Sequence, residues 1–158
     1  MPHDHTEIIQ EVVPEVLEQL AFVFADPAEA DELPGGLEQG FAVRVKINGA
    51  ATGSLTVVSG RDICAELAAN LTGDDPEDVE PESAEMALME LANVLCGQLL
   101  TRVAGVEPVF DLEAPTALDS PPEQWQALHD NEWTVAFLAD DCPFLVLLEL
   151  SADLAQAA

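Results

Sequence analysis

Basic residues are almost missing from this sequence, which has four Lys and Arg against 31 Asp and Glu and a formal net charge of −27. A surface with this balance repels phosphate backbones and anionic lipid headgroups. We therefore expect no nucleic-acid partner and no membrane partner. The excess of acid has two explanations that the sequence leaves open: solubility, including adaptation to high salt, or a basic partner.

Long apolar runs and clustered cysteines are also missing. The chain has no run of about 18 apolar residues, the length needed to cross a membrane, and its first residues lack the basic and apolar regions of a secretory signal. The three cysteines, Cys64, Cys96 and Cys142, lie far apart, which argues against a disulfide framework or a zinc site. We expect a cytoplasmic protein in which Cys64 and Cys96 are small buried hydrophobic residues.

Length and hydrophobic content predict one folded domain over residues 1–158. The chain has the length of an ordinary domain, and 49% of its residues are hydrophobic, which is too many for a disordered acidic chain. Apolar spacing at about 7–24 predicts an N-terminal helix in which Pro14 causes a kink or a later start. The acid-, Pro- and Gly-rich stretch 25–40 predicts a loop. Residues 41–150 then form the core of the domain.

The core is predicted to combine hairpins with helices. Clean alternation of apolar and polar residues predicts a half-buried strand at 41–48. The strand ends in Asn48-Gly49, a pair typical of two-residue hairpin turns, and a second turn is predicted at 140–143. The other predicted elements are strands at 53–59, 108–113, 132–139 and 144–150 and helices at about 61–71 and 82–104. Because the helices are segregated among hairpins, the pattern favours an α+β fold with a largely antiparallel sheet.

The long helix predicted at 82–104 has two contrasting faces. At 100° per residue, one broad face is apolar and comprises Leu88, Leu91, Ala92, Leu95, Leu99 and Val103. Nearly opposite lies a narrow stripe, which we call the α3 stripe and which comprises Ser83, Met86, Glu90, Asn93, Gly97 and Thr101. Within this stripe, Glu90 and Asn93 are i,i+3 neighbours whose side chains project side by side.

Several residues of the α3 stripe are poor choices for a stable helix. Gly97 in a helix interior costs about 1 kcal/mol relative to alanine, and Asn93 costs several tenths. Glu90 has Val94 rather than a basic residue at i+4. Violations of local rules that collect on one stripe predict a functional site at Glu90 and Asn93. The alternative is that the stripe simply faces water, since one Glu-x-x-Asn pair is common by chance.

The segment MELANVLCGQLL at 89–100 resembles the active helix of the CheC–CheX–FliY chemotaxis phosphatases, most closely the CheX type. The resemblance extends over about residues 41–150. It implies a CheC/CheX-like α+β fold, with long helices packed on a largely antiparallel sheet. It also implies a homodimer joined through the sheets.

The resemblance further implies that the partner is a phosphorylated CheY-like response regulator. Asn93 would orient the water that attacks the aspartyl phosphate, and Glu90 would dock the regulator through its lysine. Mg²⁺ is expected on the receiver domain of the partner, and no cofactor is expected on this chain. The family usually carries Asp or Ser four residues before the glutamate, where this chain has Met86. Two alternatives stay open: a CheX-like module that binds a signalling partner without catalysis, and a structural domain with an incidental motif.

Overall fold

The structure, a computed structural model, describes residues 5–37, 39–105, 107–139 and 141–151. Within these residues the chain forms four α-helices: α1 (Thr6–Ala21), α2 (Arg61–Thr72), α3 (Pro81–Ala104) and α4 (Pro121–His129). The strands are β1 (Asp26–Ala28), β2 (Gly40–Gly49), β3 (Gly53–Gly60), β4 (Phe110–Leu112), β5 (Thr116–Ala117), β6 (Val135–Ala139) and β7 (Cys142–Leu150). Short 3-10 turns lie at Ala30–Glu32 and Pro76–Asp78.

The strands form one antiparallel sheet in the order β1-β6-β7-β3-β2-β4, with β5 also pairing with β2. Two hairpins, β2–β3 and β6–β7, supply the four long strands, and the pairing of β3 with β7 joins them. This architecture confirms the predicted α+β fold with a largely antiparallel sheet. β6 and β7 lie inside the sheet, and the edge strands β1 and β4 have three residues each.

The main core lies between one face of the sheet and helices α1, α2 and α3. Val43, Val45 and Ile47 of β2 point into this core, as the alternation in the sequence predicted. The opposite face of the sheet packs on α4. Trp125 and Leu128 of α4 form a second, smaller core there with residues of three strands, Ala42, Val58, Leu145 and Leu147.

Helix α4 was not predicted from the sequence, because it has only nine residues and begins with two prolines, Pro121 and Pro122. Prolines in the first turn are compatible with a helix, although in a sequence the same pair is typical of a loop. As a consequence, the prediction of a half-buried strand at 41–48 was incomplete. Ala42 on its second face is buried under α4, whereas Lys46 on the same face is exposed.

The prediction of a two-residue hairpin turn at Asn48-Gly49 was wrong. β2 continues through both residues, which pair with Asp111 and Phe110 of β4, and residues 50–52 make the connection to β3. Gly49 has a φ of 101°, and a Cβ on it would lie 2.6 Å from the carbonyl oxygen of Val109. The glycine therefore serves the close approach of β4 rather than a two-residue turn.

Three other boundaries differ from the prediction. The first helix ends at Ala21 with Phe22 in the left-handed conformation, and Pro14 lies inside the helix. The predicted loop at 25–40 contains β1 and a 3-10 turn. Of the turn predicted at 140–143, Asp140 lies outside the described residues, Asp141 has a φ of 68°, and the last two residues belong to β7. No helix in the described part of the chain combines the length and apolarity of a membrane span.

Trp125 in the second core should contribute strongly to the stability of the fold. Trp125 is only 1% exposed, and truncating a buried tryptophan typically removes about 3–5 kcal/mol of stability. We expect Trp125→Ala to lower the free energy of unfolding by this amount in chemical denaturation. Glu123→Ala, at an exposed position of the same helix, is the matched control and should change it by less than about 0.5 kcal/mol. A small loss for Trp125→Ala would mean that α4 contributes little to the folded state.

Candidate functional site

Helix α3 begins and ends at recognisable signals. Pro81 occupies its first turn, where no backbone donor is needed. Glu82 follows in the same turn, where the positive end of the helix dipole stabilises its carboxylate. Gly105, with a φ of 83°, ends the helix. The predicted bounds of 82–104 are therefore confirmed to within one residue.

The predicted apolar face of α3 is confirmed. The buried residues of the helix are Ala84, Ala87, Leu88, Leu91, Ala92, Leu95, Cys96, Leu99 and Leu100. Val103, which was predicted to lie on the same face, is only partly buried. This face contacts β2, β3, α1 and α2, so the rotation of α3 about its own axis is fixed by packing on several elements.

The α3 stripe faces solvent. Ser83, Glu90, Asn93 and Thr101 are exposed, and the Met86 side chain is 65% exposed. Glu90 and Asn93 are therefore solvent-accessible on a helix whose opposite face is packed. Their Cβ atoms lie one turn apart on the same side, so the carboxylate and the carboxamide can act on one bound group.

Neither Glu90 nor Asn93 forms a side-chain hydrogen bond or ion pair with the described residues. The basic residue of α3, Arg102, instead pairs with the Glu11 carboxylate of α1. Thr101 donates its hydroxyl to the carbonyl oxygen of Gly97 at 3.0 Å. The polar groups at the two central positions of the stripe are therefore free to meet groups of another molecule.

The two central residues of the stripe lie outside the cavities around Arg61. A cavity of about 680 Å³ lies elsewhere, between residues 34–37, the start of α2, the start of α4 and the start of β7. Arg61 lines this cavity and two smaller ones, and no pattern in the sequence indicated them. Glu90 and Asn93 line none of the three. An exposed pair of polar side chains on a helix surface suits contact with a partner protein better than enclosure of a small molecule.

The cysteines do not supply a nucleophile to the stripe. Cys64 and Cys96 are buried, as predicted, and desolvation raises the pKa of each thiol to about 12. Cys142 is also buried, and its pKa is likewise raised by desolvation. At neutral pH all three remain protonated thiols, which are poor nucleophiles.

The exposure of the two central residues predicts that they contribute little to stability. We expect Asn93→Ala and Glu90→Ala each to change the free energy of unfolding by less than about 0.5 kcal/mol, because neither side chain has a partner among the described residues. Leu91→Ala, on the buried face of the same helix, should cost about 2–5 kcal/mol. Losses at position 90 or 93 that approach the loss at 91 would indicate a structural role for the pair.

One comparison with known proteins identifies a family, and another identifies the fold. The family model described as "Chemotaxis phosphatase CheX" matches residues 41–138. No curated protein matches the chain. The fold is similar to that of CheX from Vibrio vulnificus, with a TM-score of 0.67 and 14% identity over 89% of this chain and 92% of that chain. It is also similar to CheX from Desulfovibrio desulfuricans, with a TM-score of 0.63 and 18% identity over 92% and 99% of the two chains.

A further similar structure is a complex of CheX with CheY, BeF₃ and Mg²⁺ from Borrelia burgdorferi. The TM-score is 0.63, and the identity is 18% over 93% of this chain and 97% of that chain. At these identities the structures establish a shared fold, whereas the family model matches well over half of the sequence. The chain belongs to the CheX family of chemotaxis phosphatases.

Proposed function

We propose that the chain hydrolyses the aspartyl phosphate of a CheY-like response regulator, with the α3 stripe inserted at the phosphorylation site. The observation that carries this proposal is the exposed Glu90–Asn93 pair, which has no partner among the described residues and stands on a firmly packed helix. Membership of the CheX family supports the reaction. The Borrelia relative, crystallised with CheY, BeF₃ and Mg²⁺, supports the class of partner.

Asn93 is assigned to the attacking water. An aspartyl phosphate is already activated, so the main requirement is a water held in line with the phosphorus atom. A carboxamide can accept a hydrogen bond from this water through its oxygen, while its NH₂ group donates to a phosphoryl oxygen. The glutamine of small GTPases orients water in the same way. No covalent intermediate on this chain is needed.

Glu90 is assigned to docking. Its carboxylate has no cation to pair with in the described part of the chain, and the only arginine of α3 is paired with Glu11. An ammonium group on the regulator would form an ion pair with this carboxylate and fix the register of the complex. Because Asn93 lies one turn away, pairing at Glu90 would place the carboxamide beside the phosphoryl group. The Mg²⁺ that neutralises the phosphoryl oxygens would belong to the receiver domain.

A second function is favoured by one observation, the identity of residue 86. Met86 is exposed on the α3 stripe, one turn before Glu90, where the family usually has Asp or Ser. A methionine cannot supply the hydrogen bonds of either residue. The alternative is therefore a CheX-like module that binds a receiver domain without accelerating the loss of phosphate.

The two central residues should have separable effects. Asn93→Ala should abolish the acceleration of phosphate loss, and a loss of about tenfold already corresponds to about 1.4 kcal/mol of barrier. It should leave the affinity nearly intact, because the carboxamide acts on the water. Glu90→Ala should weaken affinity and rate together, because the carboxylate acts in recognition. The measurement is the decay of a phosphorylated receiver domain with Mg²⁺, at several concentrations of each variant.

Matched controls are available on the same helix. Gln98→Ala removes an exposed amide next to the stripe, and Glu82→Ala removes an exposed carboxylate two turns before Glu90. With either control variant, the phosphorylated receiver domain should lose phosphate at the rate seen with wild type. The phosphorylated receiver domain could also lose phosphate equally fast with wild type and with Asn93→Ala, at concentrations where it binds both. This result would exclude the phosphatase function and leave the non-catalytic binding module.

Restoring an acid at position 86 should raise the rate. We expect Met86→Asp to increase the rate of phosphate loss at saturation several-fold, because it returns the residue type that the family usually carries one turn before the glutamate. Met86→Leu, which keeps the position apolar, is the control and should behave like wild type. A rate that is unchanged by Met86→Asp would show that residue 86 does not limit the reaction.

A further inference from the structure

Gly97 lies in the interior of α3, although nothing in the described part of the chain requires a glycine there. Its φ has the negative sign of an ordinary helical residue. A Cβ added to it would meet no atom within 4 Å. By contrast, a Cβ on Gly60 would lie 2.6 Å from the Cys142 sulfur. An alanine at position 97 would therefore fit and would favour the helix.

The surface around Gly97 is low compared with the surface before it. One turn earlier, Asn93 projects into solvent, and Met86 and Glu90 continue this raised half of the stripe. One turn later, the Thr101 hydroxyl folds back onto the carbonyl oxygen of Gly97 at 3.0 Å. From Met86 to Gly97 the stripe is about 16 Å long at 1.5 Å per residue. It therefore consists of a raised part that ends at Asn93 and a notch centred on Gly97.

We propose that Gly97 is a docking notch for the receiver domain, into which the loop beside the phosphorylated aspartate packs against the backbone of α3. This inference rests on the proposed function. The asparagine side chain is short, and its carboxamide must come within about 3 Å of the water and the phosphoryl oxygen. The surface that carries the phosphoryl group must then approach the helix closely on the side where Gly97 lies.

Charge as well as shape indicates which partner binds at the Gly97 notch. The unpaired Glu90 carboxylate stands two turns before the notch, about 10 Å along the helix, in a chain with a net charge of −27. A partner with a cation at about this distance from its docking loop is therefore favoured. A receiver domain with a lysine beside its phosphoaspartate meets this condition. A side chain at position 97 would hold the two backbones apart and would lengthen the contact that Asn93 must make. Gly97 thus acts as a specificity-determining position, while the chemistry belongs to Asn93.

The notch is tested by a graded series, Gly97→Ala and Gly97→Leu, titrated against a CheY-like receiver domain activated with beryllofluoride and Mg²⁺. In the free protein, Gly97→Ala should raise the Tm by about 2–4 °C, because the helix becomes more stable. The Kd should nevertheless rise by about tenfold for alanine and by about a hundredfold or more for leucine. Gln98→Leu, at the adjacent exposed position outside the stripe, is the matched control and should keep the Kd within about twofold of wild type.

The results separate the notch from the proposed reaction. If Gly97→Ala and Gly97→Leu bind as tightly as wild type, the notch is excluded even when wild type accelerates the loss of phosphate. If the Kd rises along the series while wild type causes no acceleration, the notch stands and the phosphatase does not. If wild type binds no receiver domain, both proposals are wrong.

Discussion

Burial of the apolar face of α3 joins the sheet to α1 and α2 and fixes the orientation of the candidate site. Four leucines, Leu88, Leu91, Leu95 and Leu99, are fully buried between the sheet and the other helices. Each contributes roughly 2 kcal/mol through removal of its apolar surface from water. Rotation of the helix by one residue position, or about 100°, would expose these side chains. The same packing therefore fixes the opposite stripe in solvent and holds Glu90 and Asn93 on a rigid support.

The net charge of the chain also affects its stability and the kind of partner it can bind. Self-repulsion of a chain with a net charge of −27 opposes compactness, and the continuous apolar core on the helical face of the sheet offsets it. On α3 the basic Arg102 is paired with Glu11 across the contact with α1. Glu90 thus keeps an unneutralised carboxylate at the centre of the stripe. An exposed carboxylate without an ion-pair partner favours a binding partner that presents a cation.

The parts of the fold that were predicted from the sequence are those with strong periodicity. The alternation at 41–48 marked β2, and the 3.6-residue pattern at 82–104 marked α3 with both of its faces. The misses have physical reasons. Helix α4 buries only Trp125 and Leu128, too few residues to produce a recognisable period. Asn48-Gly49 resembles a hairpin turn, although its glycine serves the approach of β4, a contact from far along the chain.

The candidate site was predicted to a similar degree. The positions of Met86, Glu90, Asn93 and Gly97 on one exposed line followed from the helical wheel. The pairing of Arg102 with Glu11 did not, because it depends on how α3 packs on α1. The cavities around Arg61 also depend on tertiary structure, since the walls of the first one come from four separate segments.

Entry of the α3 stripe into the phosphorylation site of a receiver domain can be tested by a crystal structure of this chain with a receiver domain, beryllofluoride and Mg²⁺. We expect the Asn93 carboxamide to lie within about 3 Å of a fluoride or of a water in line with the beryllium. We also expect the Glu90 carboxylate to pair with a lysine of the receiver. A complex in which the receiver binds elsewhere and leaves the α3 stripe in solvent would contradict both expectations.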